Sequence, residues 1–305
     1  MSRIVDADAR GIDEAVDLLR RGGVIGLPTE TVYGLAADAS NDDALRRIFV
    51  VKGRPSNHPL IVHIADPSDL DALADGVSET CRLLVEHAWP GPLTVIVRAR
   101  SSVSRVVTGG RDTVAVRVPA HPVARAIISR LGRPVAAPSA NRFGHVSPTS
   151  ARHVADDLGG AVDLIVDGGE CEVGVESTIV DCTLAAPEIL RPGAITAEEI
   201  HRLLDRRGVS VSDGVSGESR APGMLERHYA PRARVVLHET GATVPLDAEC
   251  VLDCASDVVA AARSLYAELR RADANGVPVV HALLPAASGL GHALRDRLAK
   301  AAAGR

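Results

Sequence analysis

The sequence predicts an α/β fold, and three observations carry that prediction. Segments with apolar residues at helical spacing alternate with short apolar runs of strand length. The 305 residues are 46% apolar and 24% charged, the balance of a globular chain long enough for two domains. A Gly- and Ser-rich stretch without periodicity, RRGVSVSDGVSGESRAP over 206–222, separates a longer first unit from a shorter second one.

Residues 12–21 place apolar side chains on one helical face and stop at Gly22-Gly23. Residues 24–27 then form a short buried strand. Asn41 can cap a helix that runs through Leu45, Ile48 and Phe49. The runs 60–64, 93–97 and 114–118 are strand-like, 121–131 is helical, and 134–137 returns to extended chain. A helix follows over 150–158, strands at 164–166 and 178–180, and a helix over 197–204. Helices do not follow every strand, so a plain doubly wound sheet is not implied. After the break come strands at 235–237 and 250–252, a helix over 258–271, a strand at 277–280 and a helix over 290–302. The expected organisation is a first domain over 1–205, a linker over 206–232 and a small α/β domain over 233–305.

Composition excludes several classes. Basic and acidic residues number 34 and 39, a formal charge of −5, which argues against a chain built mainly to neutralise nucleic-acid phosphates. The five cysteines show no metal-ligand spacing and are expected to be buried or free thiols, as suits a reducing cytoplasm. The opening MSRIVDADARG has no apolar run, so no signal peptide is expected, and no stretch has the length of a membrane span. Aromatic residues are scarce, so Ala, Val, Leu and Ile must build the core. P-loop, dinucleotide-fingerprint, nucleophile-elbow, zincin and kinase motifs are all absent from the sequence.

Small polar and cationic residues instead gather at strand ends. A strand runs into Pro28-Thr29-Glu30-Thr31-Val32-Tyr33-Gly34, whose hydroxyls can face a cleft, although the same composition suits a Thr-rich turn. Of the 34 basic residues only Lys52 and Lys300 are lysines. Lys52 stands in Lys52-Gly53-Arg54-Pro55, where the rarity of lysine favours two cations placed for a triphosphate over cations at the negative end of a helix. Pro138-Ser139-Ala140-Asn141, with Gly144 and Ser147-Pro148-Thr149, opens a strand into a loop dense in hydroxyl and amide groups before a helix start. Arg117 and Arg191 end strands; each alone reads as a solvent-facing position, but with Lys52 and Arg54 they would form a basin that draws anions. The residues alone thus indicate an α/β enzyme with an anionic substrate, a nucleotide, and no covalent nucleophile. They do not name the reaction.

At these clusters the chain resembles the YrdC-like family in its long, two-domain form, the threonylcarbamoyl-AMP synthases. The motifs are GLPTETVYGL (26–35), KGRP with PLIVHI (52–64), WPGPLT (89–94), VAVRVP (114–119), APSAN through SPT (137–149), ESTIVD (176–181), ILRPGAI (189–195) and PGM with HYAP (222–231). The resemblance implies a twisted open sheet with a large concave cleft, plus a small Rossmann-like C-terminal domain. It implies synthesis of threonylcarbamoyl-adenylate from L-threonine, bicarbonate or CO2, and ATP, with Mg²⁺ held through the ATP phosphates and no metal-ligating residues of the protein. Thr31, His63, Arg117, Ser177 and the backbone of Ala137 would hold threonine. Lys52, Arg54, His58, Thr113, Ser139, Asn141, Ser147, Arg191 and Tyr229 would hold ATP, with Lys52 and Arg54 as the catalytic pair and Tyr229 on a possible lid. The product would pass to a tRNA-modifying transferase complex, with direct tRNA contact weak or indirect, no membrane partner and a cytoplasmic location. Two positions depart from the family pattern. His58 stands where Asn is usual, which would make a phosphate contact pH-sensitive near neutrality, and Phe143 stands where a small polar residue is usual. The rival expectations are a double-stranded RNA or tRNA-binding module using the same cleft, a carbamoyl-transfer maturation factor, and an ATP sensor without turnover.

Overall fold

The computed structural model describes residues 3–212 and 229–304. After β1 (Ile4–Asp6), the Asp8 carboxylate accepts the Gly11 N–H and starts α1 (Ala9–Arg20), whose buried face is Ile12, Ala15, Val16 and Leu19. β2 (Ile25–Leu27) and β3 (Gly34–Asp38) follow. Asn41 accepts the N–H groups of Asp43 and Ala44 to open α2 (Asp42–Lys52), the cap expected from the sequence. Gly53, at φ 63°, closes that helix in the left-handed region. The chain continues through β4 (Ile61–His63), α3 (Leu70–Leu73), α4 (Glu79–Ala88), β5 (Leu93–Arg98), α5 (Arg105–Thr108), β6 (Thr113–Arg117), α6 (Pro122–Leu131), β7 (Val135–Ala136) and α7 (Ala151–Leu158). β8 (Leu164–Asp167), β9 (Thr178–Asp181), β10 (Glu188–Arg191) and α8 (Ala197–Asp205) complete the first unit.

Among the described residues, these ten strands form one sheet in the order β1-β8-β2-β3-β7-β4-β6-β5-β9-β10. β4 and β6 are parallel with His63 opposite Arg117, so both side chains emerge on one face. α1 and α6 cover that face over the β8-β2-β3-β7 half, packing Ile12, Leu19, Ile127 and Ile128 on Leu27, Val135 and Leu164. Further along, the same face carries a separate small cluster of Ile61, Ile96, Ala115, Ile179 and Leu190, interleaved with His63 and Arg117. α2, α4, α7 and α8 cover the opposite face, where Leu45, Ile48, Leu84, Val154 and Leu204 join the main core.

Ser212 of the expected linker pairs with the sheet edge: Ile189 donates to Ser212 O at 2.9 Å and Ser212 to Pro187 O at 3.0 Å. The Gly/Ser-rich stretch beyond Ser212, the PGM segment and His228 of HYAP lie outside the described residues.

The C-terminal unit comprises β11 (Arg234–His238), β12 (Val251–Asp253), α9 (Val258–Ala274), β13 (Val279–Leu283) and α10 (Leu290–Ala302), with a parallel sheet ordered β11-β13-β12. The strand expected at 277–280 begins later. The Val277 N–H closes the end of α9 by donating to Ala272 O, and Pro278 has no N–H to give a ladder. The apolar core of this unit incorporates Val32, Val146 and Val175 of the first. Contact is close at Gly174 (φ 78°), where a Cβ would meet Ala262 O of α9 at 2.4 Å. Arg270 of α9 adds a half-buried pair with Asp157 of α7 at 2.8 Å. All five cysteines are free thiols, four of them buried.

Candidate active site

One cavity collects residues from the loop after β2, the ends of β4 and β6, the loop after β7, the loop before β9, the end of β10 and the segment before β11. Its lining has two chemically distinct ends.

The first end is rich in hydroxyls. Register places His63 beside Arg117, and the loop after β2 folds over them. Thr29 Oγ donates to Val32 O at 2.6 Å and accepts from the Thr31 and Val32 N–H groups, a self-bonded turn that presents Thr31. Arg117 is buried and held on three sides. Nε donates to Gly91 O at 3.1 Å, Nη1 to Thr31 Oγ at 2.8 Å, and Nη2 lies 2.6 Å from Glu30 Oε1. Burial pushes the Glu30 carboxyl up, but the Arg117 charge and hydrogen bonds from Ala120 and Arg117 outweigh it, and Glu30 ends below its ordinary value. His63, with Nδ1 3.2 Å from Ile61 O, is pushed down to about 3 by burial and then by Arg117, so it is a neutral imidazole at physiological pH. Ser177 Oγ contacts Thr94 Oγ at 2.8 Å and accepts from Arg191 Nη2 at 3.1 Å. Thr31, His63, Arg117, Ala137 and Ser177, the expected threonine set, therefore line one end of one cavity.

The second end is cationic. Arg54 and Arg191 are buried, and Arg54, Ser139, Arg191 and Tyr229 all line the cavity. Arg54 donates to Pro59 O at 3.0 Å, and its guanidinium carbon lies 5.7 Å from the Phe143 ring centroid. Burial lowers Arg54 only to about 10, so it stays charged at neutral pH. Lys52 stands one layer back: its ammonium donates to the carbonyls of Ser139 and Asn141, both at 2.5 Å, and burial and Arg54 lower it well below its ordinary value. Asn141 in turn donates to Arg142 O and His145 O at 2.8 Å. Ser147 donates to Glu176 Oε1 at 2.6 Å. Lys52, Asn141 and Ser147 thus shape the loop that presents Ser139, behind the cavity wall. Thr113 is apart from them, at the start of β6 and opposite Arg98, roughly 13 Å along the strand from Arg117.

The two departures from the family pattern are neighbours. The rings of His58 and Phe143 meet edge-on at 5.5 Å, and the Phe143 ring also lies 5.7 Å from the Arg54 guanidinium carbon. Burial, and then the charges of Arg54 and Arg111, lower the His58 ring from its ordinary value.

Three groups escaped the sequence reading. Glu30 and Glu176 lie inside quoted motifs, but a search for anion-binding cations passes over carboxylates; their signal was a lone acid within an apolar and hydroxyl-rich run. Glu176 lines the cavity, and both its oxygens are engaged, by Ser147 and by Tyr266 and Arg297 of the C-terminal unit. No local pattern marks Arg297, a fully buried arginine on α10.

The family model Sua5/YciO/YrdC, described as telomere recombination, matches residues 17–193, and that of the threonylcarbamoyl-AMP synthase C-terminal domain matches 195–303. Threonylcarbamoyl-AMP synthase of Pyrococcus abyssi is 42% identical, covering 94% of this chain and 92% of its own. That of Bacillus subtilis is 41% identical over 96% and 93%. The crystal structure of Pyrococcus abyssi Sua5 complexed with L-threonine superposes with a TM-score of 0.90 at 40% identity, covering 99% of this chain and 98% of that one.

Proposed function

The chain belongs to the Sua5/YciO/YrdC family in its two-domain form, and we propose that it joins L-threonine, bicarbonate and ATP into threonylcarbamoyl-AMP. The observation that carries this reading is the juxtaposition in one cavity of a hydroxyl-rich end, with Thr31, His63, Arg117 and Ser177, and a cationic end, with Arg54, Ser139 and Arg191. A relative of 40% identity is named as a complex with threonine, which supports assigning the first end to the amino acid.

In this scheme the threonine amine adds to CO2 derived from bicarbonate and loses a proton, giving a carbamate. A carbamate oxygen attacks the α-phosphorus of ATP, the bond to the β-phosphate oxygen breaks, and pyrophosphate leaves. Displacement at phosphorus needs alignment and charge stabilisation more than a covalent nucleophile. Arg54 and Arg191 supply fixed positive charge at the phosphate end. Ser139 and Tyr229 complete that wall, while Lys52, Asn141 and Ser147 hold its loop in place. His58 reaches the phosphate end through Phe143, and Thr113 contacts the nucleotide away from its phosphates. At the other end Arg117, balanced by Glu30, orients the threonine carboxylate, and neutral His63 can donate or accept without adding charge.

Mg²⁺ would be carried by the triphosphate. Among the described residues no three His, Cys, Asp or Glu side chains gather as a metal site, and the Glu176 carboxylate is engaged by Ser147, Tyr266 and Arg297. The ion would be held mainly through phosphate oxygens and would supply charge neutralisation on the phosphates. The product passes to a tRNA-modifying transferase complex acting on the adenosine beside the anticodon, with tRNA contact by this chain weak or indirect. We place the reaction in the cytoplasm; no helix of the described residues is long and apolar enough to cross a membrane.

The test is pyrophosphate release from ATP and Mg²⁺, with the product identified by mass. Release is expected only when threonine and bicarbonate are both present. Turnover without either, or none with both, sinks the proposal. Binding to double-stranded RNA that falls steeply with salt, without pyrophosphate release, would instead favour an RNA-binding module.

A further inference from the structure

We infer that Tyr266 and Arg297 of the C-terminal unit are positioning residues for the cationic end of the cavity, so that this unit completes the nucleotide site. The inference deepens the synthase reading and rests on it for the identity of the nucleotide.

Glu176 is the junction. Its Oε1 accepts from Ser147 Oγ at 2.6 Å, and its Oε2 accepts from Tyr266 OH and Arg297 Nε, both at 2.8 Å. Arg297 also donates through Nη2 to Pro192 O at 3.1 Å, the residue after cavity-lining Arg191. Its guanidinium carbon lies 5.2 Å from the Tyr229 ring centroid, and Tyr229 stacks on Tyr266 with centroids 5.7 Å apart and planes at 27°. Tyr229 lines the cavity with φ 61°, a conformation that a bulky L-residue keeps only where its surroundings hold it. Two side chains from the C-terminal unit therefore brace Glu176, Tyr229 and the backbone beside Arg191, and they reach Ser147 through Glu176.

Charge gives this bracing a direction. Glu176 lies between two arginines, and burial alone would raise its pKa. The charges of Arg297 and then Arg191, with the Ser147 and Arg297 hydrogen bonds, hold it down at about 2. Arg297 is the partner in direct contact, while Arg191 donates to Ser177 O and Ser177 Oγ on the cavity wall. With the Arg297 fork removed, the Glu176 carboxylate turns its demand on Arg191 and Ser147. The loss should fall on the nucleotide more than on threonine, whose end Tyr266 and Arg297 reach only indirectly, through Glu176 and Arg191 beside Ser177. An interface serving only to dock the domain would need no such asymmetry, because apolar side chains dock as well as a buried ion pair.

The experiment uses the full-length chain with Tyr266→Phe and Arg297→Lys, reading melting temperature, ATP and threonine affinity by calorimetry, and both KM values in pyrophosphate release. Tyr266→Phe keeps the ring and removes one hydroxyl. It should weaken ATP about three- to tenfold, with threonine affinity unchanged within error. Arg297→Lys keeps the charge and loses the fork, and should weaken ATP further in the same selective way. Wild-type ATP affinity in both variants, or equal losses for ATP and threonine, overturns the inference. If Arg297→Lys fails to fold, Tyr266→Phe decides alone. A wild-type chain that binds ATP without threonine-dependent turnover defeats the synthase reading, and the ATP affinities of the variants still decide this one. A wild-type chain that does not bind ATP defeats both.

Discussion

Glu30 Oε1 lies 2.6 Å from Arg117 Nη2, and both side chains are buried at the threonine end of the cavity. The pair makes that end close to neutral and leaves the net positive charge at Arg54 and Arg191, so the cavity is polarised along its length. Glu30→Gln removes the counter-charge of a buried guanidinium. It should cost about 3–5 kcal/mol of stability, read as a lower denaturation midpoint. A change below about 1 kcal/mol, the scale of an exposed pair, would show that the two charges are not coupled.

Lys52→Met keeps much of the side-chain volume and removes the donor to the Ser139 and Asn141 carbonyls. Turnover should fall about a hundredfold, the scale of misplacing a substrate-positioning loop by about 1 Å. The two orphaned carbonyls should each cost about 1–3 kcal/mol of stability. The pyrophosphate rate and thermal melting of the variant check the two parts separately.

His63 gives stability a pH dependence with a definite sign. Its folded value, about 3, lies below the free-imidazole 6.5, so below pH 6.5 the unfolded chain binds a proton that the folded chain excludes. This contribution is complete above pH 6.5 and declines by about 1.4 kcal/mol per unit as pH falls toward 3. His153, lowered to about 4, adds a similar slope that ends sooner. Urea midpoints at pH 7 and pH 5 should show His63→Gln losing less stability on acidification than the parent, by about 2 kcal/mol. Equal slopes would mean that His63 is not the buried neutral base.

The Phe143 ring contacts both Arg54 and His58. Phe143→Ser removes a cation–π contact of about 1 kcal/mol and lets water reach the guanidinium. The KM for ATP should rise about fivefold, with the KM for threonine unchanged. An effect confined to threonine would place Phe143 at the other end of the cavity.

Much of the fold is written in local pattern. Asn41 caps a helix where capping chemistry predicts a start, the helices capped by His121, Ser150 and Thr196 begin near the starts that apolar spacing predicts, and the strands with β-branched runs sit near their predicted positions. β3, with the sequence GLAAD, escapes such reading because nothing in it prefers a strand; it is held by β2 and β7 on either side. The cationic and hydroxyl clusters were also legible as residue types. Their grouping was not, because it depends on the His63–Arg117 register and on the loop that Lys52 ties down.

By itself, then, the sequence determined which segments become helices and strands and which residues carry charge or hydroxyls to their ends, since both follow from side chains within a turn or two of one another. The tertiary structure decided that Glu30 balances Arg117, that Lys52 braces a loop in front of it, and that Arg297 reaches Glu176 across 121 residues. Such pairings arise only when the packed interior excludes water and each buried charge must find a partner.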